Sequence, residues 1–177
     1  MFSSVNRLNM PAGEVLSQAH SGRSANITPV STDCFSCTLS KSVTLTSFVY
    51  AFYSNWFFKI ELNIIGFFAR MPSSDQQATE LLQGLKNNFS AWELEYRDEQ
   101  QLVMADKLGA TKQWFMVKQI NSSQTILYFG SAIMPRVKPD GTQAKPPVIF
   151  KLLGGFHQWY SKALLSAAVK KLMGNLK

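Results

Sequence analysis

The chain has few residues of the kinds that build metal centres, disulfide frameworks and densely charged surfaces. Two Cys and two His occur among 177 residues, too few for a disulfide framework and without a recognisable zinc spacing. Charged residues make up 16% of the chain and hydrophobic residues 46%, which is typical of a globular protein and not of a disordered one. We therefore expect a single globular domain that holds no metal ion and no cofactor.

Signals for export or membrane insertion are also missing. Residues 1–9 contain no apolar run of the length that a secretory signal needs. The most apolar stretch, residues 43–69, carries Lys59 and Glu61 near its middle, and each charge at the centre of a bilayer costs about 2.5–3.5 kcal/mol. The sequence thus predicts a cytoplasmic protein in which this stretch forms buried or half-buried helices.

Cys34 and Cys37 have the spacing of a redox or metal motif. A redox pair requires a helix N-terminus after the first Cys, because that position lowers the thiol pKa. Residues 33–39 instead carry β-branched and aromatic side chains, which predicts a strand. Residues three apart in a strand point to opposite faces. We expect two ordinary buried or half-buried thiols.

The chain divides into an irregular lead-in, residues 1–32, and a single α+β domain, residues 33–177. The lead-in is rich in Ser, Asn, Gly and Pro. After the first strand, the spacing of apolar residues predicts three helices, at about 45–53, 56–69 and 73–88. The hydroxyl of Thr44 or Thr46 can cap the first of them.

Four antiparallel strands follow, at about 92–97, 100–107, 111–119 and 125–134. Short turns rich in Asp, Asn, Gly and Ser separate them. With tight hairpins, one face of the sheet collects these side chains: Trp92, Leu94, Tyr96, Val103, Ala105, Trp114, Met116, Leu127, Phe129 and Ile133. A slip of one residue in any strand moves its side chains to the other face.

A long basic helix, Val148 to Met173, closes the chain. Each glycine of Gly154-Gly155 costs about 1 kcal/mol in a helix relative to alanine, so either the helix starts after Gly155 or the glycines admit something close to its backbone. The whole net charge of +7 lies in residues 136–177, where eight Lys/Arg stand against Asp140 alone. These charges form either a solvated helix face or a patch that attracts phosphates, anionic lipid or an acidic partner.

This order of elements resembles the START/polyketide-cyclase-like superfamily (SRPBCC, or helix-grip proteins), in an uncharacterised bacterial branch. The resemblance covers residues 33–173 and is carried by LTSFVYAFY (45–53), WFMV (114–117), YFGSA (128–132) and FHQWYSKALL (156–165). It implies a curved antiparallel sheet wrapped on the C-terminal helix, around a pocket for lipids, sterols, polyketides or other apolar molecules. Some members catalyse cyclisation or dehydration. Because only four clear strands follow an extra helix, a cystatin-like, cone-shaped α+β fold is the alternative.

The aromatic residues are more numerous than the core of a domain of this size needs, and this surplus predicts a cavity between sheet and terminal helix. The first hypothesis is therefore the binding of a small hydrophobic or lipid-like ligand. Its expected ligand-binding residues are Phe52, Trp56, Trp92, Trp114, Met116, Phe129, Phe156, His157 and Tyr160. The alternative for each residue is a place in a filled core.

Two further hypotheses concern the same part of the chain. The protein could be a cyclase- or dehydratase-type enzyme that uses the same cavity, with His157 and Asp106 as acid/base candidates. It could also dock on an anionic membrane surface or an acidic partner through the terminal helix, with these cations: Lys151, Lys162, Lys170 and Lys171. Nucleic acid is disfavoured because the polar face of the strands carries Glu93 and Glu95.

Overall fold

The computed structural model describes residues 2–16, 29–55, 79–81, 86–89, 92–107, 109–135 and 148–174, with residues 148–157 as backbone only. In this part of the chain the fold is α+β, an open seven-stranded antiparallel sheet with helices on one face. The strands are β1 (Asn6–Arg7), β2 (Ser31–Leu39), β3 (Asn88–Phe89), β4 (Trp92–Arg97), β5 (Gln101–Asp106), β6 (Thr111–Asn121) and β7 (Gln124–Ile133). The helices are α1 (Leu45–Tyr53) and α2 (Val148–Gly174).

The strand order in the sheet is β1-β2-β7-β6-β5-β4-β3. Strands β3 to β7 follow one another along the chain, whereas β2 comes from an earlier part and pairs with β7 from Ser31–Ile133 to Leu39–Thr125. The five predicted strands are confirmed, close to their expected bounds. Strands β1 and β3 were not predicted, since a pair of residues is too short to show an alternating pattern.

The predicted helix at 45–53 is confirmed as α1, with Thr44 as its N-cap. Thr44 Oγ1 accepts a hydrogen bond from the Ser47 backbone N–H at 3.2 Å, and Ser47 Oγ accepts one from the Thr44 N–H at 3.2 Å. This reciprocal capping box satisfies two amides that the first turn would otherwise leave unpaired. Thr46 lies inside the helix.

The predicted helix Val148 to Met173 is confirmed as α2, which continues through Gly154-Gly155, so the alternative of a start after Gly155 is excluded. Packing of its second half against α1, β2 and β7 outweighs the intrinsic cost of the two glycines. The predicted helix at 56–69 lies outside the described residues. Of the predicted helix at 73–88, residues 79–81 are helical, Asn88 belongs to β3, and most of the remainder is not described.

The inner face of the sheet is the face that packs against α1 and α2, and it holds the main hydrophobic core. Phe35, Phe129 and Phe115 are cross-strand neighbours in β2, β7 and β6, and we call these three residues the aromatic row. Phe52 of α1 lies over this row, with ring centroids 4.8 Å from Phe115 and 4.6 Å from Phe129. Burial of one such side chain contributes about 1.5–3 kcal/mol, so these aromatic rings anchor α1 to the sheet.

The outer face is also covered, by the first residues of the chain. Val15 and Leu16 belong to a second buried cluster with Trp114. Gln101 fastens this segment to the sheet, because its Oε1 accepts hydrogen bonds from the Val15 N–H at 3.2 Å and from Trp114 Nε1 at 2.9 Å. Its Nε2 donates to the Gly13 carbonyl at 2.9 Å. The N-terminal residues therefore form part of the packed domain.

An ion pair is buried on the sheet as well. Lys112 Nζ lies 2.7 Å from Glu95 Oε1, and the two side chains are 4% and 9% exposed. Glu93 is exposed, but Glu95 does not belong to the solvated face that the alternating pattern predicted. The register shift between Leu94 and Tyr96 changes the direction of the side chains in this part of β4.

The predicted register of β6 is wrong. Phe115 lies opposite Phe129, and Trp114 lies opposite Gly130. Trp114 and Met116 therefore belong to the outer cluster, away from Trp92 and Phe129 on the inner face. Residues 112–117 are all buried, so the apolar pattern of this strand does not distinguish its two faces. Val103 of β5 belongs to the outer cluster for the same reason.

We expect Gly130→Ala to lower the free energy of unfolding by about 1–3 kcal/mol, the usual cost of overpacking. An added Cβ would lie 2.9 Å from the Asp33 carbonyl oxygen and 2.9 Å from Trp114 Cε3, with Met10 Cε at 3.2 Å. Urea denaturation followed by circular dichroism measures the change. The control is Gly174→Ala, where nothing lies within 4 Å of an added Cβ. An equal loss in both variants would contradict the close approach at Gly130.

Candidate functional site

Polar side chains interrupt the apolar inner face beside the aromatic row. Asp33, Ser131 and Gln113 are cross-strand neighbours in β2, β7 and β6, two residues along each strand from the aromatic row. All three are buried, and we call them the polar row. A buried polar group is costly unless it finds a hydrogen-bond partner, so the partners of the polar row show how this end of the sheet is organised.

Asp33 connects two strands to the terminal helix. Its Oδ1 accepts hydrogen bonds from the Ser131 backbone N–H at 3.0 Å and from Ser131 Oγ at 2.7 Å. Its Oδ2 accepts one from Ser161 Oγ of α2 at 3.1 Å. Hydrogen bonds to an ionised carboxylate are roughly twice as strong as neutral ones. Asp33 therefore fixes α2 over the polar end of the inner face.

Gln113 makes the corresponding connection to α1. Its Oε1 accepts a hydrogen bond from the Tyr53 hydroxyl at 3.0 Å, in a buried environment. Within the described part of the chain, the Gln113 amide nitrogen donates no hydrogen bond. Tyr53, the last residue of α1, is thus hydrogen-bonded to the polar row, while the side-chain amide N–H groups of Gln113 can still donate to another acceptor.

Trp92 and Asp106 lie opposite each other in β4 and β5, near the edge of the inner face. The Asp106 carboxylate accepts hydrogen bonds from the Thr111 backbone N–H and from Thr111 Oγ1, the latter at 2.8 Å, so it stabilises the β5–β6 turn. Trp92 is 5% exposed, and its Nε1–H is buried without a hydrogen-bond partner among the described residues. Leaving a buried donor without a partner costs about 1–3 kcal/mol. The Trp92 N–H therefore calls for an acceptor that the described residues do not supply.

Four of the predicted ligand-binding residues lie on or against the inner face. Phe52 and Phe129 are fully buried in ring contact with each other, so they fill the core beside the polar row. Trp92 belongs to the same core, and Tyr160 is partly buried against it. The aromatic surplus is thus largely used for packing, and any ligand would contact the rim of this core.

The other five predicted residues are not brought to this site. Trp114 and Met116 lie on the outer face, for the reason given above. Trp56 lies outside the described residues, as do the side chains of Phe156 and His157. The predicted proximity of His157 and Asp106 therefore also lies outside what the structure describes.

No role in a site was predicted from the sequence for Asp33, Ser131, Gln113 or Ser161. One signal was available for Asp33, because it shares its parity in the strand with Phe35, and alternation therefore directs its carboxylate to the buried face. No comparable signal exists for Ser161. Its role depends on how α2 is placed over the sheet, which is a tertiary property.

An open cleft of about 750 Å³ adjoins the polar row at the β2 edge of the sheet. It lies where the chain leaves β1, and its lining residues are Arg7, Leu8, Asn9, Met10, Thr32, Asp33 and Cys34. Arg7 Nη1 donates a hydrogen bond to Gln158 Oε1 of α2 at 3.0 Å. Asp33 thus belongs both to the polar row and to a solvent-accessible cleft beside α2.

The two thiols lie on opposite faces of the sheet, as predicted, with Cys34 in the outer cluster and Cys37 in the main core. Burial raises the pKa of the Cys34 thiol to about 12, and the carboxylates of Asp33 and Glu14 add to this shift. Burial also raises the pKa of Cys37, partly opposed by a hydrogen bond from Ser3. Neither thiol is a nucleophile near neutral pH.

The described residues contain no group of His, Cys, Asp and Glu that could hold a metal ion. In the same part of the chain, no helix is long and apolar enough to cross a membrane.

Comparison with known proteins gives one weak structural similarity. No family model and no curated protein matches the chain. Among solved structures, a conserved protein of unknown function from Enterococcus faecalis matches 82% of this chain and 87% of its own, with 13% sequence identity and a TM-score of 0.32. A similarity at this level assigns neither a family nor a function.

We expect the folded protein to react far more slowly with iodoacetamide than the urea-unfolded chain at about pH 8, because the thiolate is the reactive form.

The raised Cys34 pKa also links stability to pH. The folded state holds the Cys34 thiol proton more tightly than the unfolded state does. The protonated thiol therefore contributes a stability that is complete below the unfolded pKa of 9.0 and is lost as the pH rises toward the folded pKa of about 12.

The measurement is urea unfolding at about pH 8 and about pH 10. Cys34→Ala should lose less stability between these conditions than the parent protein. An identical pH dependence in both proteins, or rapid labelling of the folded chain, would contradict the burial of Cys34.

Proposed function

We propose that this protein binds a small, mostly apolar molecule at the polar end of the inner face, beside Trp92 of β4. The observation that carries the proposal is the buried Trp92 Nε1–H, which has no partner among the described residues. An indole N–H on an apolar core usually finds an acceptor. A ligand that places an acceptor there would remove the cost of leaving this donor unsatisfied.

The composition of the site supports a ligand that is apolar with one polar end. The rim of the aromatic core, where Tyr160 is partly buried, supplies an apolar surface, and the polar row lies directly beside the aromatic row. Ligand pockets typically combine apolar walls with a few placed polar groups that orient the molecule. The donors of Trp92 and Gln113 would suit a carbonyl or similar acceptor, which makes a ketone, ester or carboxylic acid on a hydrophobic body the class of ligand.

We also propose a more specific fold and a cellular location for the protein. We infer a helix-grip arrangement of the START-like kind, in which the sheet curves around α2. The contacts of α2 with β2, β7 and α1 support it. We also infer a cytoplasmic location, since Cys34 and Cys37 are both free and thiols persist in that reducing compartment.

The proposal can be tested by measuring the binding of two fluorescent dyes. Prodan is a neutral naphthalene with a carbonyl group, and N-phenyl-1-naphthylamine is a matched probe without the carbonyl. We expect both dyes to bind saturably, with a rise in fluorescence as each enters an apolar site. Trp92→Phe removes the indole donor and keeps an aromatic ring. Loss of one hydrogen bond, about 0.5–1.5 kcal/mol, should weaken prodan binding by about two- to twelvefold.

The matched probe separates the hydrogen bond from the change in shape. Trp92→Phe should weaken the binding of N-phenyl-1-naphthylamine much less than that of prodan. Equal weakening of both dyes would show that Trp92 contributes only packing. Absence of saturable binding of either dye to the parent protein would contradict the proposed function.

A further inference from the structure

The solvent-facing side of α2 carries positive charge and an exposed indole. The helix contains four Lys and no Asp or Glu in its 27 residues. Trp159 is 57% exposed, and Lys162 and Lys170 are exposed as well. Spacings of three and eight residues keep these side chains on one stripe of the helix.

Arg7 adds a second cation beside the indole. Its guanidinium is bonded to Gln158 at 3.0 Å, and Gln158 lies one residue before Trp159 and one turn before Lys162. Arg7 is itself exposed. We call Arg7, Trp159, Lys162 and Lys170 the Trp159 surface.

Lys171 does not belong to this surface. Its Nζ donates to the Ser54 carbonyl oxygen at 2.9 Å and to Ser54 Oγ at 2.8 Å. It also lies 5.5 Å from the centre of the Tyr50 ring. Its charge therefore neutralises the carbonyl end of α1 and binds the two helices together, a structural role. Of the other three cations of α2, Lys162 and Lys170 face solvent, and the side chain of Lys151 lies outside the described residues.

We propose that the Trp159 surface docks the protein on an anionic membrane surface. The cations and the exposed indole of this surface both favour an anionic membrane as the partner. Lys and Arg near a bilayer attract anionic headgroups, and Trp is enriched at the membrane interface because its ring is apolar with one polar N–H. The chain as a whole carries a net charge of +7, which favours its approach to a negatively charged surface. This inference is independent of ligand binding in the core.

Vesicles of phosphatidylcholine with and without phosphatidylserine test the docking by co-sedimentation of the full chain. We expect binding only when phosphatidylserine is present, and weaker binding as salt is added. Trp159→Ala should weaken the binding. Lys162→Gln should weaken it about fivefold, the usual effect of one cation at an anionic surface.

The control for net charge is Lys118→Gln, which removes one exposed cation from β6, away from α2. This variant should bind as the parent protein does. Three outcomes would overturn the proposal: no binding to either vesicle, equal binding to both vesicles, or weakening by Lys118→Gln as large as that by Lys162→Gln. The last result would assign the attraction to total charge and not to the Trp159 surface.

Discussion

The hydrogen bonds of the Asp33 carboxylate connect parts of the fold that lie far apart in the chain. Asp33 belongs to β2, and its oxygens bind Ser131 of β7 and Ser161 of α2. A carboxylate is stable in a protein interior only when hydrogen bonds offset the loss of its hydration. The edge of the sheet and the placement of α2 over the inner face therefore depend on one satisfied buried charge.

The second constraint is that the central strands are covered on both faces. Helix α1 packs its aromatic side chains on the aromatic row, while the N-terminal residues pack on Trp114 and its neighbours. Two residues make this outer packing possible. Gln101 forms hydrogen bonds to the N-terminal segment, and Gly130 leaves room for the Trp114 ring because it has no side chain. The domain thus has two cores separated by one sheet, and its first residues are needed for the second.

The sequence predicted the local structure well and the arrangement of side chains less well. Helix α1 could be predicted because the Thr44 cap and the apolar spacing are local signals. The register of β6 could not, because both faces of Trp114–Val117 are buried and alternation then carries no information. The polar row was missed because the bond between Asp33 and Ser161 depends on tertiary placement. The aromatic surplus suggested a cavity, but Phe52 and Phe129 mainly fill the core.

We propose that Trp92 supplies a buried hydrogen-bond donor for a ligand at the polar end of the inner face. The most direct measurement is a proton–nitrogen NMR spectrum of the indole N–H groups of the four Trp residues during titration with prodan, with the Trp92 signal assigned from Trp92→Phe. The Trp114 indole, which is bonded to Gln101 on the outer face, serves as an internal reference. From this proposal we expect a saturable shift of the Trp92 signal while the Trp114 signal stays in place. An unmoved Trp92 signal at saturating prodan would contradict it.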